Sequence, residues 1–259
     1  MTTQASGSPV SSFYNLSGPE VVFVTADIDW APDYAVEFML AKLEELHVPA
    51  TVFATHRQRS LVDAGALVRV GLHPDPTRAL AHTTATGMLQ NLLDIYPEAV
   101  GLRCHRNFFG QNIAESAAAV GLRYDASHVS WQLPWAQAFV DQFGLVRFSY
   151  TWEDGLHCDF GLPLDSDVVD LETPGLKVLN IHPLLFFLNC VTDDDRRAAV
   201  RSYSDLTSAP YSELSQHVRH GWGIRDVTIS LIERARRMNM RFAFLDDAAD
   251  AALNVTEAL

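Results

Sequence analysis

The chain has 259 residues, 48% hydrophobic and 20% charged, with a formal net charge of −13. That length and apolar content suit one sizeable core and exclude a disordered chain, and the shortage of Lys and Arg excludes a general binder of phosphate backbones. No run approaches the ~20 apolar residues of a membrane-spanning helix, and no membrane partner is expected.

Residues 1–20 are rich in Ser, Thr, Gly and Pro and lack a basic start followed by an apolar run. They read as a flexible segment and not as a secretion signal. Cys104, Cys158 and Cys190 are odd in number and scattered, which suits reduced thiols. The expectation is a cytoplasmic protein. Residues 21–29 (VVFVTADID) form a β-branched apolar run ending in carboxylates, as a strand buried on both faces does. Asp33 is placed to cap a helix reaching about His47, with Val36, Met39, Leu40, Leu43 and Leu46 at helical spacing. Pro49 breaks it, and residues 50–54 read as a second strand.

The alternation continues down the chain. Strands are expected at 67–72, 100–103, 145–151, 177–181 and 241–245, and helices at 86–96, 112–120 and 226–238. The stretches 127–144, with Trp131 and Trp135, and 191–223 read as irregular, and loops of such length tend to be functional. Strands alternating with helices imply a mostly parallel sheet, open or closed into a barrel. No repeat or linker appears, so 21–259 reads as one domain. No glycine-rich phosphate loop of the Walker or dinucleotide type appears either.

Ligands in parallel α/β folds bind at the carboxyl ends of strands. Those ends carry Asp27 and Asp29, His73, Arg103 and His105, and His182. The two aspartates lie two apart, as do Arg103 and His105, so each pair shares one side of an extended chain. Two imidazoles and a carboxylate can hold one divalent metal with an open position for water. Zn²⁺ is the default from ligand type, and Ni²⁺, Co²⁺ and Fe²⁺ accept similar donors. Asp27 can then act as base, with Arg103 keeping it ionised, and His182 can protonate a leaving amine. Any one of these residues alone is as readily a cap or turn residue; their placement at four strand ends carries the reading.

The motifs resemble the polysaccharide deacetylase superfamily, carbohydrate esterase family 4. The resemblance rests on Asp27-Ile28-Asp29, Gly71-Leu72-His73-Pro74, Arg103-Cys104-His105 and Asn180-Ile181-His182-Pro183. Trp30-Ala31-Pro32-Asp33 and Trp152-Glu153-Asp154 point to a divergent branch linked with surface-polysaccharide synthesis. The resemblance implies a distorted (β/α) barrel and a metal-dependent N-deacetylase of an N-acetylated amino sugar, glycoside or nucleotide-sugar. By residue, it implies Asp27 as base, Asp29 and His73 as metal ligands, Arg103 as brace and His182 as acid. Two departures stand out: Ile28 separates aspartates that the family usually keeps adjacent, and Thr77 stands where a second histidine is usual. His105 is the third ligand expected here, with Asp75 and His82 as alternatives.

Trp30, Trp152 and Asp154 are candidate substrate contacts; Asp154 could instead orient His182. His56, His128, His157, His217 and His220 are expected to be solvated, and Cys104 to pack away from the site. Two further readings stay open, a deacylase of a non-sugar amide and a degenerate barrel that binds without catalysis. The partner expected is a saccharide or small molecule, with no nucleic acid.

Overall fold

The computed structural model describes residues 21–257; the expected flexible segment over 1–20 lies outside the described residues. Ten strands form one sheet: β1 Val21–Asp27, β2 Ala50–Ala54, β3 Val68–Leu72, β4 Gly101–Leu102, β5 Tyr124–Val129, β6 Ala138–Val140, β7 Val146–Tyr150, β8 Trp152–Glu153, β9 Lys177–Ile181 and β10 Arg241–Phe242. Their order is β6-β7-β5-β4-β3-β2-β1-β9-β8, with β10 beside β1. Every pairing is parallel except β6 with β7. This is the mostly parallel α/β architecture that the alternation of strands and helices implies.

The pairing path is open, yet one run of chain joins two of its edges. Tyr150 of β7 pairs with Val129 of β5, while Trp152 of β8 pairs with Leu179 of β9. Between them, the Thr151 N–H donates to the Val178 carbonyl at 3.0 Å. Residues 146–153 therefore form a seam between β5 and β9.

The period of two along β1 arranges the interior. Val22, Val24 and Ala26 pack outward with helix residues such as Val36, Met39 and Leu231. Val21 and Phe23 face inward with Phe53, Tyr124, Phe148 and Val178. The next residues in that register are Thr25 and Asp27, both buried. The lower interior is thus an apolar plug, and its upper part turns polar on the side where the strands end.

Most predicted elements are present within a few residues. The helix Asp33–Glu45 begins with Pro32 at its N-cap, so Asp33 is its first helical residue and not its cap. The last strand stops at Phe242, and Leu245 opens a helix, Leu245–Glu257, that was not expected. Leu245, Ala248, Ala249 and Ala252 press into the inward-facing cluster. That segment, LDDAADAAL, is alanine-rich, and alanine is the strongest helix former. The stretch 191–223 contains the helix Asp193–Val200, opened by a Thr192–Asp195 capping box, and shorter turns after it. The stretch 127–144 includes β6 and the end of β5. Among the described residues no helix is long and apolar enough to cross a membrane.

Candidate active site

Asp27, at the end of β1, lies in a buried polar network. Its Oδ1 accepts from Arg103 Nη1 at 3.0 Å and its Oδ2 from Asn180 Nδ2 at 2.8 Å. Arg103 Nη1 also donates to Thr25 Oγ1 at 3.0 Å and Asn180 Oδ1 at 2.5 Å, and its Nε to the Ala126 carbonyl at 2.9 Å. The guanidinium carbon sits 4.5 Å from the Phe53 ring centre and 4.7 Å from that of Tyr150. Burial alone would push the Asp27 carboxyl up; Arg103, with His73 and His182, outweighs it and holds the group below its ordinary value.

Beyond Asp27 the backbone turns sharply. Asp29 and Trp30 adopt left-handed conformations with φ of 42° and 57°, which costs an L-residue ~1 kcal/mol or more each. The Ala31 N–H closes the turn on the Ile28 carbonyl at 2.7 Å. This turn places the Asp29 carboxylate over the strand ends. His73, just after β3, sets Nε2 at 3.1 Å from Asp29 Oδ1, and His105, just after β4, sets Nδ1 at 3.0 Å from the same oxygen. The three donor atoms lie within 4.8 Å of one another. They are two neutral-capable imidazoles and a carboxylate, which is the donor chemistry a divalent ion such as Zn²⁺ accepts. His73 Nδ1 is buried without a hydrogen-bond partner, and its nearest carboxylate oxygen is Asp27 Oδ1 at 3.7 Å. Burial opposes ionisation of Asp29, but hydrogen bonds from His105 and His73 outweigh it and hold the carboxyl well below its ordinary value.

His182 follows β9 and precedes a helix that starts at Pro183. Its Nδ1 is 2.6 Å from Asp154 Oδ1, and its backbone N–H donates to Asp154 Oδ2 at 2.7 Å. Its Nε2 faces Asp29 Oδ2 at 3.7 Å. Burial disfavours the imidazolium, but Asp154 overrides it and raises His182 well above its ordinary value. A cavity of about 130 Å³ lies between the aspartate and histidine groups, with Tyr150 and Glu153 in its wall.

The structure brings Asp27, Asp29, His73, Arg103, His105 and His182 to one place, with Asp154 behind His182. Asp75 and His82 do not join them. Asp75 accepts from the Thr77 N–H and caps the helix Pro76–Ala79, while His82 is exposed. Trp30 stands edge-on to His105 at 5.0 Å and lines the cleft outside the cavity. Trp152 is a correction: it is 2% exposed and lines neither space, because β8 lies beside β9 and packs the indole into the helix-side cluster, where it donates to His157 Nδ1 at 3.2 Å. Asp154 is also fully buried and reaches the site only through His182. His157 is buried as well, contrary to expectation, because the helix Asp154–Asp159 carries it into the core.

Three contributors were not anticipated: Thr25, Asn180 and Tyr150. Thr25 and Asn180 are register partners across β1 and β9, polar residues inside otherwise apolar strands. That was the available signal, since a buried polar group is the informative exception in a core strand. Glu153 lines the cavity, and burial raises its carboxyl above its ordinary value.

A family model described as "WbmS-like: Polysaccharide deacetylase" matches residues 24–199. Among solved structures, the WbmS protein of Bordetella bronchiseptica, assigned as a polysaccharide deacetylase of O-antigen biosynthesis, aligns with a TM-score of 0.73 and 26% identity over 83% of this chain and 90% of that one. A carbohydrate esterase family 4 pseudoenzyme of Bacillus anthracis aligns at 0.51 and 13% identity, over 90% of this chain and 66% of that one. A 4-α-glucanotransferase of Thermococcus litoralis aligns at 0.54 and 10%, over 90% of this chain and 40% of that one. The last two likenesses show the fold alone. No curated protein sequence matches the chain. The family match covers well over half of the sequence and includes every strand end described above except that of β10, and the chain belongs to the WbmS-like polysaccharide deacetylase family.

Proposed function

We propose that the protein is a metal-dependent N-deacetylase of an N-acetylated amino sugar within a glycoside or nucleotide-sugar precursor. The observation that carries this reading is the convergence of Asp29, His73 and His105 between an Arg103-braced Asp27 and an Asp154-backed His182. Asp29, His73 and His105 would hold one divalent ion, Zn²⁺ by donor type with Ni²⁺, Co²⁺ or Fe²⁺ as alternatives, and this ion supplies Lewis acidity. The protein's own groups divide the proton work. Asp27, kept ionised by Arg103 and Asn180, takes a proton from the attacking water. His182, kept protonated by Asp154, gives one to the amine nitrogen as the amide C–N bond breaks. The same residues would serve a non-sugar amide; the family and the O-antigen assignment of the B. bronchiseptica protein favour a saccharide.

The test pairs metal content with acetate release. The wild type should carry about one divalent ion per chain and release acetate from N-acetylated saccharides. Asp29→Ala and His105→Ala should lose the metal. Asp27→Asn should keep it while turnover falls by roughly 10²–10⁴. A wild type that takes up no metal after incubation with Zn²⁺ would sink the hydrolase reading and leave a binding barrel.

A further inference from the structure

The catalytic cavity opens into a wider cleft of about 450 Å³, within the range that holds small ligands. Asp29, His105, Arg106, Glu153 and His182 line both spaces. An acetyl group fits the inner cavity, so the rest of a substrate must occupy the cleft. The far wall is the helix Asp193–Val200, from the stretch 191–223, and it contributes Asp193, Arg196 and Arg197.

Each Asp193 oxygen is already engaged, Oδ1 by Arg196 Nε at 2.6 Å and Oδ2 by Arg197 Nε at 2.5 Å. Asp159 stands 3.8 Å from Arg197. Arg106 is exposed on the opposite side with no ion pair among the described residues. The whole lining carries these three guanidiniums and four carboxylates: Asp159, Asp193, Asp29, which faces His73 and His105, and Glu153, whose carboxyl burial raises. The terminal nitrogens of Arg196 make no hydrogen bond among the described residues, and its charge is near enough to interact with that of Asp29. Helix-surface pairs at this spacing are common and worth only ~0.3–0.5 kcal/mol. The uncommitted terminal N–H groups of Arg196 and the lining residues shared with the catalytic cavity set this group apart.

We infer that the cleft binds a phosphoryl group carried by the saccharide, with Arg196 and Arg106 as its donors. Nε of Arg196 is committed to Asp193, which fixes the guanidinium plane and leaves its terminal N–H groups for an anion. The word substrate here rests on the deacetylase reading; the binding site does not.

The test compares N-acetylglucosamine with N-acetylglucosamine 1-phosphate in the metal-loaded protein. The phosphate should be preferred through KM, with a preference that weakens as salt rises. Arg196→Gln and Arg106→Gln should each raise KM for the phosphate by about tenfold, leave kcat and the neutral sugar unchanged, and Arg196→Lys should recover part of the loss. Equal KM for both sugars, or a preference that survives both glutamine variants, overturns the assignment. Calorimetric titration of the two sugars into Asp27→Asn gives a readout independent of turnover. If neither sugar is deacetylated but the phosphate binds Arg196-dependently, the catalytic reading fails and the anion site stands. Equal binding of the two sugars removes the site whatever the activity.

Discussion

Arg103 shows how one buried side chain can be both structural and chemical. Its guanidinium joins Asp27, Thr25, Asn180 and the Ala126 carbonyl while lying between two aromatic rings. Removing it strands a buried carboxylate, so Arg103→Met should lower unfolding free energy by about 3–5 kcal/mol in urea titrations. The pH profile of kcat should be set by the two proton-transfer groups. Asp27 titrates below its ordinary 3.8, and His182 well above its ordinary 6.5. Activity should therefore fall on the acid side below 3.8 and on the alkaline side above 6.5, a wide plateau. Asp154→Asn removes the leading support of the imidazolium. It should lower kcat by about 10²–10⁴ and draw the alkaline limb down toward 6.5, a shift that a merely structural role for Asp154 would not produce.

Individual elements explain what was legible in the sequence. Asp27, Asp29, His73, Arg103, His105 and His182 could be picked out because each follows an apolar run, and parallel strands present their carboxyl ends to ligands. The Thr25–Asn180 bridge could not, since it depends on the cross-strand register of β1 with β9. Arg196 escaped notice because nothing in a polar stretch says which helix face meets the site. Trp152 misled for the opposite reason: its neighbours Glu153 and Asp154 serve the site, while alternation along β8 turns the indole into the core. Short strands also impose demands of their own. At Gly101 in the two-residue β4, an added Cβ would lie 2.0 Å from the Tyr124 ring, whose hydroxyl is fixed to Asp246 at 2.8 Å. Gly101→Ala should cost about 1–3 kcal/mol by overpacking, measured by chemical denaturation.

Across the whole molecule, titration of the site couples to folding. Because His182 is raised above 6.5 in the folded metal-free chain, its stabilising contribution is fully present below 6.5 and lost as pH climbs through the higher folded value. The lowered Asp27 acts in the other sense: its contribution is present above 3.8 and lost as pH falls toward its folded value. Thermal unfolding of the metal-free protein should accordingly be most favourable to the fold between those limits. Added Zn²⁺ should raise the midpoint further, by ~2.7 kcal/mol of stability at a hundredfold excess over its dissociation constant, and Asp29→Ala should abolish that gain.

The seam at residues 146–153 divides the site into two halves with different tethers. Asp27, Asp29 and His73 hang from β1 and β3, in the continuously paired middle of the sheet, whereas Glu153 and Asp154 hang from the short β8 at its edge. Solvent should reach these halves at different rates. In native-state hydrogen exchange, the Thr151 and Glu153 amides should exchange through local opening well before those of Val24 and Ala26. Each opening event would detach Asp154 from His182 while Asp27 and Arg103 stay in place, so on the proposed mechanism the proton-donating half of the site would open first.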